Sequence, residues 1–217
     1  LDDAAGLLLC GPADAPAEGP ALILGPGTGL GAALYIPASA RAPAHVLASE
    51  AGHASLAAAT PREIVLLQEL QRDRPMVNYE ALLSGPGLCA SYRALCVIDG
   101  VVPRWESAGQ ISAAAATGDA QAAEVLHLFC AMLGSFAGDL AMTFRARRVY
   151  LAGGIPARIA PLLQHSDFAR RFTGKVGLQA VLEQVPVRLV EHGQLGLIGA
   201  YGYACASRAA MPPVVAR

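Results

Sequence analysis

The sequence holds almost no lysine. Its 16 basic residues are fifteen arginines and Lys175, against 17 acids, for a formal net charge of −1. A Walker phosphate loop needs G-x-x-x-x-G-K followed by Ser or Thr. Lys175 sits in Thr173-Gly174-Lys175-Val176, so that loop is excluded. The near-neutral balance offers no basic footprint for nucleic acid or anionic lipid. The cysteines, Cys10, Cys89, Cys96, Cys130 and Cys205, contain no CxxC pair, which removes a cysteine-based zinc site. Their odd number, in a chain able to build its own core, argues against a disulfide framework. No basic start leading to a small-residue cleavage site opens the chain, so a reduced, cytoplasmic compartment is expected. Gly, Pro, Arg, Asp or His interrupts every apolar run before the roughly 18 residues of a membrane span, so none is expected. Charge is scarce at 15% and hydrophobic residues reach 54%, which is too apolar for disorder. The 217 residues suffice for one domain with a core, or at most two small ones. The first residue is Leu1 rather than Met, and the opening Leu1-Asp2-Asp3-Ala4-Ala5-Gly6 reads like the interior of a longer sequence.

Strand and helix signals alternate, which gives an α/β class. Residues 10–20 are a Pro/Gly/Ala loop. Ala21–Leu24 and Ala32–Ile36 read as strands joined by a glycine-rich turn, hence a hairpin. Thr60-Pro61-Arg62-Glu63 opens a helix: Thr60 can cap, Pro61 suits the first position and Glu63 completes a capping box. Ile64, Val65, Leu66, Leu67 and Leu70 give it a broad apolar face. Asn78–Tyr92 reads as a helix, a break at Ser84-Gly85-Pro86-Gly87, and a second helix. Gly109–Ala116 and Asp119–Phe144 are helical, the latter with Val125, Leu126, Phe129, Leu133, Phe136, Ala137 and Leu140 at helical spacing. Arg148–Ala152 and Pro186–Glu191 read as strands. Helices start at Pro156, running to Leu163, and at Gly193, running to Ser207. Hairpins beside long helices point away from a purely parallel doubly wound sheet.

Two glycine segments are candidates for chemistry. In Gly25-Pro26-Gly27-Thr28-Gly29-Leu30-Gly31, backbone N–H groups and the Thr28 hydroxyl suit phosphate oxygens; the same residues also suit a plain hairpin turn. A dinucleotide fingerprint does not fit, because its third glycine falls on Leu30 and a strand follows. In Leu151-Ala152-Gly153-Gly154-Ile155 a strand ends on two glycines, which admit a flat ligand or a neighbouring backbone. Glu50 and His53 share a face if Glu50-Ala51-Gly52-His53 turns helically; they offer a carboxylate and an imidazole to a polyol, or form a solvated surface turn. Glu80 is either a ligand or a favourable partner of a helix dipole. His45, His127, His165 and His192 have no motif around them and read as structural or solvated. Arg145, Arg147 and Arg148 read as a solvated helix end.

Taken in order, Gly25 to Gly31, Glu50 to His53, Glu80 to Arg93 with its E-x-x-x-S-G-P-G pattern, Ala152 to Ile155, and the terminal Gly196-Leu197-Ile198-Gly199-Ala200-Tyr201-Gly202 resemble bacterial glucokinases. These are the ATP-dependent hexokinases of the actin-like superfold. The likeness runs from about Pro20 onward. Related repressors and sugar kinases follow Glu-x-Gly-His with a cysteine-rich zinc motif; here Ala54-Ser55-Leu56-Ala57-Ala58-Ala59 follows, so the resemblance is to the branch without zinc.

The resemblance implies an α/β, actin-like ATPase or ribonuclease-H-like domain, a mixed sheet flanked by helices. Residues 1–217 would form one large C-terminal domain. It implies ATP and Mg²⁺ as cofactors and glucose as substrate, with Gly27-Thr28-Gly29 as a second phosphate loop and Gly153 and Gly154 against the adenosine. Glu50, His53 and Glu80 would bond glucose hydroxyls. No protein metal ligand, nucleic-acid partner or membrane partner is implied. A homodimer through the large domain is, as is a terminal helix packed near a small lobe. The family's first phosphate motif, D-x-G-G-T, and the Asn-Asp pair carrying the general base belong to that N-terminal small lobe. Neither occurs in the 217 residues; the base is expected upstream of Leu1, and this chain alone is expected to be inactive. The alternatives are a non-catalytic sugar-binding or regulatory relative, and an α/β domain whose glycine loops are structural.

Overall fold

The computed structural model describes residues 6–15, 18–190 and 197–202. A six-stranded mixed sheet runs in the order β1 (Leu7–Cys10), β6 (Val187–Leu189), β5 (Arg148–Leu151), β2 (Ala21–Pro26), β3 (Leu30–Ile36) and β4 (His45–Ser49). The hairpin is present as expected, with β2 and β3 antiparallel and Leu22 opposite Leu34. Alternation places Leu22, Leu24 and Leu34 on one face, where all are buried. β5 and β6 lie parallel to β2. Two strands lack a clean apolar–polar alternation and are not expected from the sequence: β1, paired antiparallel with β6, and β4, paired with β3.

Helices α1 (Pro61–Leu70), α2 (Gly85–Ile98), α3 (Ala108–Ala116) and α4 (Ala120–Thr143) fill the connection from β4 to β5. α4 is 24 residues long and apolar enough to cross a membrane, which corrects the expectation that interruptions such as His127 and Asp139 disqualify every run. Fourteen of its residues are buried, including Phe129, Cys130, Leu133, Phe136 and Ala137, so it is the central helix of the core. Its Gly134 and Gly138 are one turn apart, where a methyl would press on the carbonyls of Phe168 and Phe172. That space admits α7 (Phe168–Thr173), a helix interrupted by two arginines and not expected from its sequence.

The start of α1 differs in detail. Thr60 accepts from the Glu63 N–H as expected, but Glu63 does not close the box on the cap. Its Oε2 accepts from the Ala59 N–H, one residue earlier, at 2.6 Å. Glu63 is drawn inward by Arg171, whose Nη1 lies 2.6 Å from Oε1; Arg171 Nε also donates to Ser135 Oγ. The buried face of α1 is therefore Glu63, Leu66 and Leu70, while Ile64 and Val65 are exposed.

The Ser84-Gly85-Pro86-Gly87 segment is a helix start: Ser84 Oγ accepts from the Gly87 N–H and Pro86 sits in the first turn. After β5 come two short helices, α5 (Gly154–Arg158) and α6 (Ala160–His165), where one was expected. A short α8 (Gln179–Leu182) precedes β6. Arg145, at φ 51, turns the chain out of α4, and Arg148 belongs to β5 rather than to a helix end. Cys10, Cys89, Cys96 and Cys130 are free thiols; burial pushes Cys130 up to about 12. His45, His127 and His165 are exposed, as expected. Of the terminal helix from Gly193, residues 197–202 are helical; its remainder, with His192 and Cys205, lies outside the described residues.

Candidate functional site

The candidate residues gather beyond the C-terminal ends of β2 and β5. The β2–β3 turn closes on itself: the Gly27 N–H donates to the Gly29 carbonyl at 2.8 Å. The Gly27 carbonyl in turn accepts from the Gly85 N–H, also at 2.8 Å, tying the turn to the first residue of α2.

Glu80 sits on a 3₁₀ turn, Tyr79–Ala81, capped by Asn78 Oδ1 accepting from the Ala81 N–H at 2.8 Å. Its carboxylate does not serve a helix end. Oε2 accepts from the Leu30 N–H at 2.7 Å, across fifty residues of sequence. His53 lies on a second 3₁₀ turn, Ala51–His53. Its Nε2 is 4.0 Å from Glu80 Oε1 and its Nδ1 3.5 Å from Glu50 Oε2, so the imidazole stands between the two carboxylates. Side-chain exposure falls from 93% at Glu50 through 59% at His53 to 33% at Glu80. Glu50 is thus the solvent-facing member, and Glu80 the anchored one.

The backbone explains how two turns so far apart in sequence meet. The Leu56 N–H donates to the Val77 carbonyl and the Tyr79 N–H to the Ala54 carbonyl, both at 3.0 Å. These bonds zip the segment after His53 to the segment before Glu80. Gly52 lets the first turn rest on Leu30: a methyl there would stand 2.5 Å from the Leu30 carbonyl oxygen. Sequence reasoning missed Gly52, Asn78 and Leu30 as parts of the site. The only signals were the glycine inside E-x-G-H and an Asn two residues before Glu80.

The glycines of the second loop have different surroundings. Gly153 has φ +105 and a methyl on it would collide with the Pro26 carbonyl, so it serves the close approach of β5 to the end of β2. Gly154 opens α5 with free space where a Cβ would point.

Two cavities flank these elements. One of about 300 Å³ is polar, lined by Thr28, Arg74, Asn78, Glu80 and Ser84, and joins the turn to Glu80. The other, about 490 Å³, is largely apolar. It lies between α3, the start of α4 and the α5–α6 segment, with Ala113, Ala116, Leu126, His127, Ile159 and Leu162 on its walls. It begins one turn beyond Gly154, and no local motif announced it. Among the described residues, no group of three or more His, Cys, Asp or Glu is arranged to hold a metal ion.

Comparison with known proteins gives a consistent result. A family profile described as Glucokinase matches residues 3–207. A glucokinase-like protein of Xylella fastidiosa (strain Temecula1) is 47% identical over 202 residues, 92% of this chain and 60% of its own length. The glucokinase of Xanthomonas campestris pv. campestris (strain B100) is 39% identical over 191 residues, 88% of this chain and 56% of its own. A crystal structure of a glucokinase from an Antarctic psychrotroph superposes with a TM-score of 0.86 at 37% identity, over 96% of this chain and 64% of that one. The glucokinase of Balamuthia mandrillaris, solved in complex with glucose, superposes with a TM-score of 0.82 at 25% identity, over 94% and 60%. The chain spans about 60% of the length of the first of these curated relatives.

Proposed function

The chain belongs to the glucokinase family and has its actin-like α/β fold, and from that premise we propose that it forms the sugar- and nucleotide-facing wall of an ATP-dependent hexose kinase. The complete enzyme would transfer the γ-phosphoryl group of ATP to the 6-hydroxyl of glucose. The observation that carries this reading is the bond from the Leu30 N–H to Glu80, because it seats a carboxylate beside His53 and against a glycine turn at once.

Glu80 Oε1, His53 and Glu50 take the sugar hydroxyls. A site built to hydrogen-bond hydroxyls rejects analogues that leave its polar groups unpaired. The Gly27 N–H is already committed inside the turn. Phosphate oxygens are therefore met by the Thr28 and Gly29 N–H groups and the Thr28 hydroxyl. The adenosine passes over Gly154 toward the apolar cavity between α3, α4 and α5–α6, whose walls suit a flat ring. Mg²⁺ fits as a partner of the nucleotide, since it binds largely through substrate phosphates and water and needs no carboxylate cage. Free thiols at four cysteines agree with a cytoplasmic setting, and the proposal includes pairing of two copies through this domain.

Removal of the 6-hydroxyl proton is assigned to the Asp of an Asn-Asp pair that the 217 residues do not contain. Lack of a general base lowers a rate by roughly 10²- to 10⁴-fold. The purified chain is expected to bind glucose and ATP in calorimetric titration, to lose glucose binding on Glu80→Ala, and to show no useful glucokinase activity. Formation of glucose 6-phosphate at rates near a full-length enzyme would overturn the one-wall reading. Failure to bind either ligand would leave the glycine loops structural. Binding without turnover by the complete gene product would favour the non-catalytic sugar-binding relative.

A further inference from the structure

Glu80 is gripped from the side of the phosphate turn. A carboxylate has two oxygens and about four lone-pair sites. Oε2 is taken by the Leu30 N–H at 2.7 Å, while Oε1 faces His53 Nε2 at 4.0 Å and is the oxygen left for a hydroxyl. The grip accounts for the lower exposure of Glu80 beside its neighbours Glu50 and His53.

The grip also depends on the residue before Leu30. A methyl at Gly29 would stand 2.6 Å from Glu80 Oε2 and 3.4 Å from its carboxyl carbon. The contact is with the far end of a side chain that can rotate. An alanine at 29 therefore displaces the carboxylate and leaves the fold standing. Gly25, in β2, has nothing within 4 Å of the equivalent point, so the collision is peculiar to position 29 and not general to the glycines of this hairpin.

We propose that Gly29 and the Leu30 N–H are positioning elements for the sugar site: a residue of the phosphate turn sets sugar affinity by seating Glu80. This rests on the reading of Glu80 as a sugar ligand. The turn and the carboxylate then form one unit.

The test has two readouts on this chain. The first needs no ligand: amide hydrogen exchange at Leu30. Protection is expected in the parent, in Gly25→Ala, and in Glu80→Gln, whose amide oxygen can still accept. It should be lost in Glu80→Ala and in Gly29→Ala. The second is glucose titration without nucleotide. Gly29→Ala should weaken binding about tenfold or more, the loss of a hydrogen bond to a charged group, with an unchanged unfolding midpoint, while Gly25→Ala binds like the parent. A protected Leu30 amide in Gly29→Ala, or equal glucose affinities in the two alanine variants, overturns the proposal. A parent chain that binds no glucose overturns the sugar reading instead, and the exchange at Leu30 then decides by itself whether Gly29 seats Glu80.

Discussion

Replacing Arg171 by methionine should cost the fold about 3–5 kcal/mol, the range for breaking a buried ion pair from one side. The structure supplies the reason. Glu63 is only 1% exposed, and its carboxylate has three donors: Arg171 Nη1 at 2.6 Å, Arg171 Nη2 at 3.3 Å and the Ala59 N–H at 2.6 Å. Arg171 also donates to Ser135 Oγ at 2.8 Å. Methionine fills the space of the arginine stem but leaves a charge in the core with one N–H partner, and it strands the Ser135 hydroxyl. In a chain of this size each kcal/mol moves the midpoint by roughly 2–4 °C, so a fall of roughly 6–20 °C is expected. The double variant Glu63→Leu with Arg171→Met removes both charges and should recover most of the loss. It should come to within about 1 kcal/mol of the parent, because Ala59 is exposed and water can take the N–H that Glu63 releases. Urea unfolding followed by circular dichroism reads both. A loss under about 1 kcal/mol for the single variant, or a double variant no better than the single, would refute the reasoning.

The other expectations are briefer. Gly153→Ala places a side chain at φ +105 against the Pro26 carbonyl, and should lower stability by about 1–3 kcal/mol in the same urea assay; an unchanged midpoint would mean that β5 and β2 can part without cost. The Asp119 carboxylate is held below its usual value by the Ala122 N–H first and then by the Trp105 indole N–H, both at 3.0 Å. A depressed folded value means this stabilisation is complete above the unfolded value near 3.8 and is lost as pH falls through the folded one. Fluorescence of Trp105, the one tryptophan of the chain, should therefore be flat at neutral pH and change in acid, and Asp119→Asn should abolish the change; its persistence in that variant would assign it elsewhere.

Much of the fold could be read from local signals. Thr60 with Pro61 starts α1 through a bond spanning three residues, as the sequence displays; the caps at Ser107 and Asp119 are equally local, yet the helix after Ser107 is expected only from Gly109. The β2–β3 hairpin follows from alternation on either side of a glycine turn. Signals failed where partners are distant. β1 and β4 are strands because β6 and β3 offer them an edge. Glu63 left its capping box because Arg171 lies within reach from a point 108 residues away. The site divides in the same way. Glu50, His53, Glu80 and the glycine turn were candidates from residue type and order, whereas the roles of Leu30, Gly52 and Asn78 depend on contacts no spacing reveals.

The sequence by itself determined the class of the chain, the order of its motifs and the near absence of lysine, and with these it excluded a Walker loop and pointed to one family. These properties are composition and short-range pattern, which need no third dimension. Tertiary structure alone decided that the Leu30 N–H beside the glycine turn holds Glu80, that His53 stands between two acids, and that an apolar cavity opens beyond Gly154 between helices distant in sequence. Such facts arise when side chains from separate elements compete for the same few ångströms of space and the same hydrogen bonds. That competition is settled by packing, and no window along the chain contains it.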